Sequence, residues 1–335
     1  MESSRARRDR RARPPRRRPL LHGALATVVV VCGTAAGTAY VHTGARPGVR
    51  AVSSAATSSP SASSTDDTDG KASVDPVAEP TVNHDALLAH AMKAVHVEDG
   101  AAVSVAVLDL DSGASATYGD GGFDTASIVK VDILAALLLQ AQDAGRALTT
   151  AERSYAIDMI EHSDNTAASA LWRTIGQADG LDSANGRLGL TDTVGGHDTY
   201  WGLTQTTAAD QLALLRQVFG AADSQLSADS RAYLTALMGQ VAADQRWGVS
   251  AVADGSGWAL KNGWLPRTAT GLWDINSIGR VTVDGTGYLV AVLSDGNTTK
   301  QRGVALVEAT ARAAVSVFAG GSASTAPGAM TPAAW

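Results

Sequence analysis

Ala126-Ser127-Ile128-Val129-Lys130-Val131-Asp132-Ile133-Leu134 decides how this chain is read. The apolar run continues through Leu137, Leu138 and Leu139, on every side of a helix. A helix apolar all round is buried inside a larger protein. A serine at its head and a lysine three residues on share one face. Burial lowers a lysine pKa, and a neutral lysine is a base. Serine needs such a base to act as a nucleophile. A helix start also offers free backbone N–H groups and a dipole that favours developing negative charge.

Ser-x-x-Lys alone is a weak pattern, met equally by a capped helix with a snorkelling lysine. Two later segments change its weight. Ser163-Asp164-Asn165 stands between Ile160-Glu161-His162 and Thr166-Ala167-Ala168. By itself it is a helix cap. In a cleft, Ser163 relays a proton to a leaving group and Asn165 hydrogen-bonds a substrate amide. Lys261-Asn262-Gly263-Trp264 reads as an edge strand. In a cleft, Lys261 puts a cation beside Ser163, and Asn262, Gly263 and Trp264 run along the substrate. The three in order point to a serine nucleophile activated by lysine.

With these motifs the chain resembles class A β-lactamases and the penicillin-binding DD-peptidases related to them. The run Asp158-Met159-Ile160-Glu161-His162-Ser163-Asp164-Asn165-Thr166-Ala167-Ala168 is especially close, and the resemblance covers most of residues 82 to 318. It implies acylation of Ser127, with Lys130 helping to deprotonate it. Ser163 passes a proton to the ring nitrogen, and Lys261 anchors the substrate carboxylate region. By the same analogy, the backbone N–H groups of Ser127 and Trp264 form the oxyanion hole. The implied substrate is a β-lactam or a peptidoglycan stem peptide, and no cofactor or metal is needed.

Three departures from the family bear on activity. The stretch Leu188 to Trp201 holds no glutamate to activate a deacylating water. Only His197 and Asp198 are candidates there, and the stretch reads as a solvated Gly-rich loop. The interval from Ser127 to Ser163 is short for a class A enzyme, so the aromatic wall it supplies is missing and the cleft is expected to be open. Asn262 stands where the family prefers Thr or Ser. The reading is therefore acylation with slow release, with a D-alanyl-D-alanine peptidase or a non-turnover penicillin sensor as alternatives.

The fold class expected is α+β. A helix carries Leu87, Leu88, Ala91, Met92 and Val95 and ends at Gly100. A hairpin follows, with Val103, Val105 and Val107, a turn at Asp111-Ser112-Gly113, and a return over Ala114 to Tyr118. Helices are expected over Ser127–Ala144, Thr150–Ile160 (capped by Thr149 or Thr150), Thr166–Ile175 and Ala208–Phe219. Strands return at Ala259–Lys261, Asp274–Val283 and Tyr288–Leu293, and a helix closes over Gly303–Phe318. Strands from both ends imply one antiparallel sheet built from both termini, flanked by helices, with an inserted all-helical lobe.

Residues 1–42 read as a basic head plus a signal peptide or membrane anchor. Nine arginines between Arg5 and Arg18 precede an apolar stretch over residues 20–41, long enough to span a bilayer. Membrane contact is expected only there, and export to the outer face follows. Residues 43–81 form a disordered Ser/Thr/Ala/Pro linker, 82–320 the hydrolase domain, and 321–335 a loose tail. Cys32 is the only cysteine, so the exported part has no disulfide. The head carries +7, which leaves −13 on the rest of a chain of net −6. So acidic a domain is a poor nucleic-acid binder. His84, His90 and His96 lack ligand spacing. Arg246, Arg267 and Arg280 are each able to meet a substrate carboxylate, and the sequence does not rank them. Trp247, Trp258, Trp264 and Trp273 crowd the strand region, and only Trp264 is assigned to the cleft.

Overall fold

Residues Tyr288 to Leu293 are all buried. A strand hides every side chain only when both faces of its sheet are covered. That requirement sets the architecture. The computed structural model describes residues 82–220, 222–255 and 257–319. The expected signal or anchor, the linker and the tail lie outside them. No helix among the described residues is long and apolar enough to cross a membrane.

In chain order the elements are α1 (His84–Met92), β1 (Ala102–Asp109), β2 (Ser115–Tyr118), β3 (Phe123–Asp124), α2 (Val129–Asp143), α3 (Thr150–Glu161), α4 (Asn165–Ile175), α5 (Gln177–Leu188), β4 (Gln205–Thr206), α6 (Ala208–Phe219), α7 (Ala228–Met238), β5 (Trp258–Pro266), β6 (Trp273–Val283), β7 (Thr286–Asn297) and α8 (Lys300–Ala319). Five strands form one antiparallel sheet in the order β2-β1-β7-β6-β5. The first strand thus pairs with the last, Val105 opposite Val292, as the pattern of strands at both ends implied. The α+β reading holds.

Alternation along β7 feeds two cores. Val290 and Val292 join Val103, Val105 and Val107 against Leu88 of α1 and Leu306, Val307 and Ala311 of α8. Leu289, Ala291 and Leu293 face the other way, in one cluster with Ile133, Leu134 and Leu137 of α2. Each such large side chain contributes about 1.5–3 kcal/mol on burial, enough to hold a cysteine-free domain of this length.

Local signals were legible where chemistry was strong. Thr149, rather than Thr150, caps α3: its Oγ1 accepts from Glu152 N at 3.2 Å, while Glu152 Oε2 accepts from Thr149 N at 2.7 Å. Weak signals failed. Helices α5 and α7 were not expected, and α5 contains Gly180, Gly186, Asp182 and Asn185, all poor helix formers. Burial of Leu181, Ala184 and Leu188 overrides that propensity. The opening helix stops at Met92 instead of continuing toward Gly100. The helix expected to start at Ser127 starts at Val129, after a 3₁₀ turn over Ala126–Ile128.

Candidate active site

Ser127 sits in that 3₁₀ turn and lines a cleft of about 730 Å³. The turn is pinned from two sides. Asn276 of β6 donates from Nδ2 to the carbonyl oxygens of Asp124 (2.8 Å) and Thr125 (3.0 Å). Thr125 N donates to Thr204 O at 2.9 Å. Ala126 is held at φ +48°, a left-handed conformation that costs an alanine roughly 1–2 kcal/mol. Such strain persists only where the surroundings over-determine it, and it clusters at functional sites.

Gly263 of β5 brings the strand backbone against this turn. A Cβ on it would lie 2.8 Å from Ser127 N and 2.8 Å from Thr125 O. Only glycine lets the two backbones approach so closely. Gly263 therefore lies against the Ser127 turn, and Trp264 lines the same cleft as Ser127.

Two buried lysines converge on one hydroxyl. Lys130, 0 % exposed, donates from Nζ to Ser163 Oγ (3.0 Å), Ser163 O (2.7 Å) and Asn165 Oδ1 (2.8 Å). Lys261, 1 % exposed, donates to Ser163 Oγ (3.0 Å) and Asn262 O (2.9 Å). Ser163 is itself at φ +55°, in the loop that ends where Asp164 caps α4 through Ala167 N at 2.6 Å. The cap and the cleft loop are thus the same residues. Burial pulls Lys130 down to about 7, against the attraction of Asp164. Burial also takes Lys261 well below the usual lysine range, and the charge of Lys130 adds to that. No carboxylate forms an ion pair with either among the described residues. Two cations stripped of water and left without counter-ions favour a proton-accepting amine and an anionic ligand.

The remaining candidates separate. Asn165 lines the cleft. The side chain of Asn262 is absent from its lining: it is buried and donates to Gln245 O (2.7 Å) and Trp247 O (2.9 Å). Trp264 borders the cleft and packs on Trp247, with Lys300 Nζ 3.8 Å from its ring centroid. Among the three arginines only Arg267 lines the cleft, and it is engaged by Asp124 and Asp274. Arg246 lies over Trp258 instead.

The beta-lactamase enzyme family Beta-lactamase2 matches residues 153–318. That span includes Ser163 and Lys261 but starts after Ser127 and Lys130, which the tertiary structure brings to the same place. Over that span the chain matches the β-lactamase family model, and its fold is that of β-lactamases and penicillin-binding proteins. Among solved structures, a mutant of PBP-A in acyl-enzyme complex with penicillin G is 24 % identical, with TM-score 0.60, covering 70 % of this chain and 97 % of that one. The TLA-1 extended-spectrum β-lactamase is 16 % identical, with TM-score 0.61, covering 70 % and 97 %. A class A β-lactamase from Bacteroides cellulosilyticus DSM 14838 is 17 % identical, with TM-score 0.59, covering 71 % and 99 %. No curated protein matches by sequence.

For a β-lactamase-like domain, the stretch before α6 is the informative departure. Most of it is exposed, as expected of a solvated loop, but two of its glycines are packed inside. Gly195 and Gly196 are buried, and a Cβ on Gly196 would collide with the Tyr200 carbonyl. Gly195 N donates to Asp182 Oδ1 (2.7 Å), Gly196 N to Thr204 Oγ1 (3.1 Å), and Trp172 Nε1 to Asp198 O (2.7 Å). The glycines serve close packing. His197 and Asp198 are exposed and do not line the cleft. Thr199 to Leu203 do line it. Tyr200 and Trp201, unremarked in the sequence, supply an aromatic wall from this loop. Among the described residues lining the cleft there is no Asp, Glu or His.

Proposed function

We propose that this protein is an exported serine hydrolase, acylated at Ser127 by β-lactams or related amides and esters and slow to release the acyl group. The single observation that carries the reading is the pair of buried lysines sharing Ser163 Oγ beside a cleft that holds Ser127. Export rests on the basic head and the apolar stretch of residues 20–41.

The chemistry follows from proton positions. Ser127 Oγ bonds to the carbonyl carbon of the strained amide, and its proton passes to the neutral amine of Lys130. Collapse of the tetrahedral adduct breaks the C–N bond. Ser163 gives its proton to the departing nitrogen and is reprotonated from the lysine pair it touches. Lys261 offers positive charge to the substrate carboxylate. The backbone N–H groups where β5 meets the Ser127 turn stabilise the oxyanion, a contribution of about 3–4 kcal/mol when one such donor is removed elsewhere. Hydrolysis of the ester then needs a base for water, and among the described residues lining the cleft there is no carboxylate to serve as one.

That last feature favours a second reading, a D-alanyl-D-alanine peptidase or transpeptidase. PBP-A, of the same fold, is described as an acyl-enzyme with penicillin G, which supports a covalent adduct under either reading. Incubation with a fluorescent penicillin followed by intact mass spectrometry tests both. The expected result is a persistent one-to-one adduct on a Ser127 peptide that Ser127→Ala abolishes. Fast turnover with no adduct would refute slow release. A D-Ala-D-Ala peptide consumed faster than any β-lactam would select the peptidase.

A further inference from the structure

Among the described residues, Trp201 is the aromatic side chain that both lies against Lys130 and lines the cleft. Its ring centroid lies 5.0 Å from Lys130 Nζ. Its indole Nε1 donates to Ser169 Oγ of α4 at 3.1 Å. It lines the cleft together with Ser127, Asn165 and Ser169. Next to it, Gly202 lies within van der Waals reach of Ala126, beside the nucleophile. The backbone turn that carries it is closed by Leu203 N to Tyr200 O (2.9 Å) and Thr204 N to Trp201 O (3.2 Å).

These contacts define what the indole does at this corner. Lys130 already has three oxygen acceptors from Ser163 and Asn165. Those oxygens take up the hydrogen-bonding directions of the amine, and the Trp201 ring covers it where it borders the cleft, leaving Lys130 0 % exposed. An aromatic face attracts an ammonium but accepts no hydrogen bond from water as strongly as an oxygen does. It stabilises the cation without hydrating it.

We propose that Trp201 is a positioning residue that closes the Lys130 side of the cleft to water and thereby sets the lifetime of the acyl-enzyme. This rests on the reading that Ser127 is acylated. In deacylation a water oxygen bonds to the ester carbonyl carbon, its proton goes to the Lys130 amine, and the bond from carbon to Ser127 Oγ breaks with that oxygen reprotonated. The wild-type indole occupies the approach such a water needs. The hydrogen bond to Ser169 fixes the ring in that place.

The test follows the adduct on the full chain. Wild type, Trp201→Ala, Trp201→Phe and Ser169→Ala are labelled with the fluorescent penicillin, freed of excess reagent, and followed by mass spectrometry over time. Acylation rate and adduct half-life are read separately. Trp201→Ala is expected to shorten the half-life about tenfold or more while still acylating. Trp201→Phe, which restores a ring face, is expected to return most of the lifetime. Ser169→Ala, which leaves the indole present but unanchored and spares the core, is expected to shorten it about threefold. A half-life in Trp201→Ala or Ser169→Ala within experimental error of wild type overturns the proposal while leaving acylation at Ser127 standing. Failure of the wild type to form any adduct overturns both.

Discussion

Lys261, on β5, donates to the hydroxyl of Ser163, 98 residues earlier in the chain, at 3.0 Å. Lys130 donates to the same oxygen at the same distance. One hydroxyl thus links two amines that burial pushes toward neutrality. Under the proposed acylation of Ser127, these groups form the path by which its proton reaches the departing nitrogen. Ser163→Ala breaks that path without enlarging a core. We expect acylation to slow by about 10²-fold or more, the usual weight of a positioned proton donor, with Tm little changed. Stopped-flow with a chromogenic cephalosporin measures it. An unaltered rate would remove Ser163 from proton transfer.

The pH dependence has a defined sign. Lys130 acts as a base when neutral and sits at about 7, so acylation is expected to rise with pH through about 7 and level off above it. A rate that falls over this range would contradict the assignment.

Stability carries an independent signature of the same group. In the unfolded chain Lys130 returns to 10.5. Between about 7 and 10.5 the unfolded state therefore binds more protons, and stability rises with pH. The buried Asp132 works in the other direction. Burial lifts it from 3.8 to about 7, so its contribution is fully present below 3.8 and is lost as pH rises to about 7. Thermal melts should show the wild type gaining on Lys130→Met from pH 7 to 10, and Asp132→Asn gaining on the wild type from pH 4 to 7. Parallel curves would show that neither group is perturbed.

Removing the buried Lys261 amine, which forms no ion pair with a carboxylate among the described residues, should stabilise the domain while abolishing activity. Lys261→Met retains the volume and leaves Ser163 bonded to Lys130. A gain of about 1 kcal/mol corresponds to roughly 2–4 °C in Tm for a domain of this size. Differential scanning calorimetry reads it directly, and a lower Tm would mean that the Lys261 hydrogen bonds outweigh its desolvation.

Gly263→Ala places a methyl group 2.8 Å from Ser127 N and Thr125 O. Both are backbone atoms and cannot rotate away. We expect a stability loss of about 1–3 kcal/mol and a loss of acylation, because β5 must move off the nucleophile turn. Asn262→Ala makes a useful contrast. Its amide ties Gln245 O and Trp247 O, so it should lower Tm at about 1–3 kcal/mol with little change in KM. A large KM effect with unchanged Tm would restore Asn262 to the substrate.

The sequence by itself singled out Ser127, Lys130, Ser163 and Lys261 as a set, since the three motifs in that order rarely arise by chance, and the fold joins Lys130 and Lys261 at Ser163 beside the cleft that Ser127 lines. It also determined the antiparallel sheet, through apolar alternation at both ends of the chain, and the Thr149–Glu152 cap, through a local pattern. Those signals lie within a few residues of one another or repeat along one element. What lay outside them was decided by tertiary packing. Helix α5 forms against its own propensity because Leu181 and Leu188 reach the core. Asn262 looked like a substrate contact until the strand turned its amide toward Gln245 and Trp247. Trp201 gave no periodic signal at all. Its place over Lys130, 71 residues away in the chain, exists only because Gly195 and Gly196 let the loop pack tightly enough to turn an indole into the cleft.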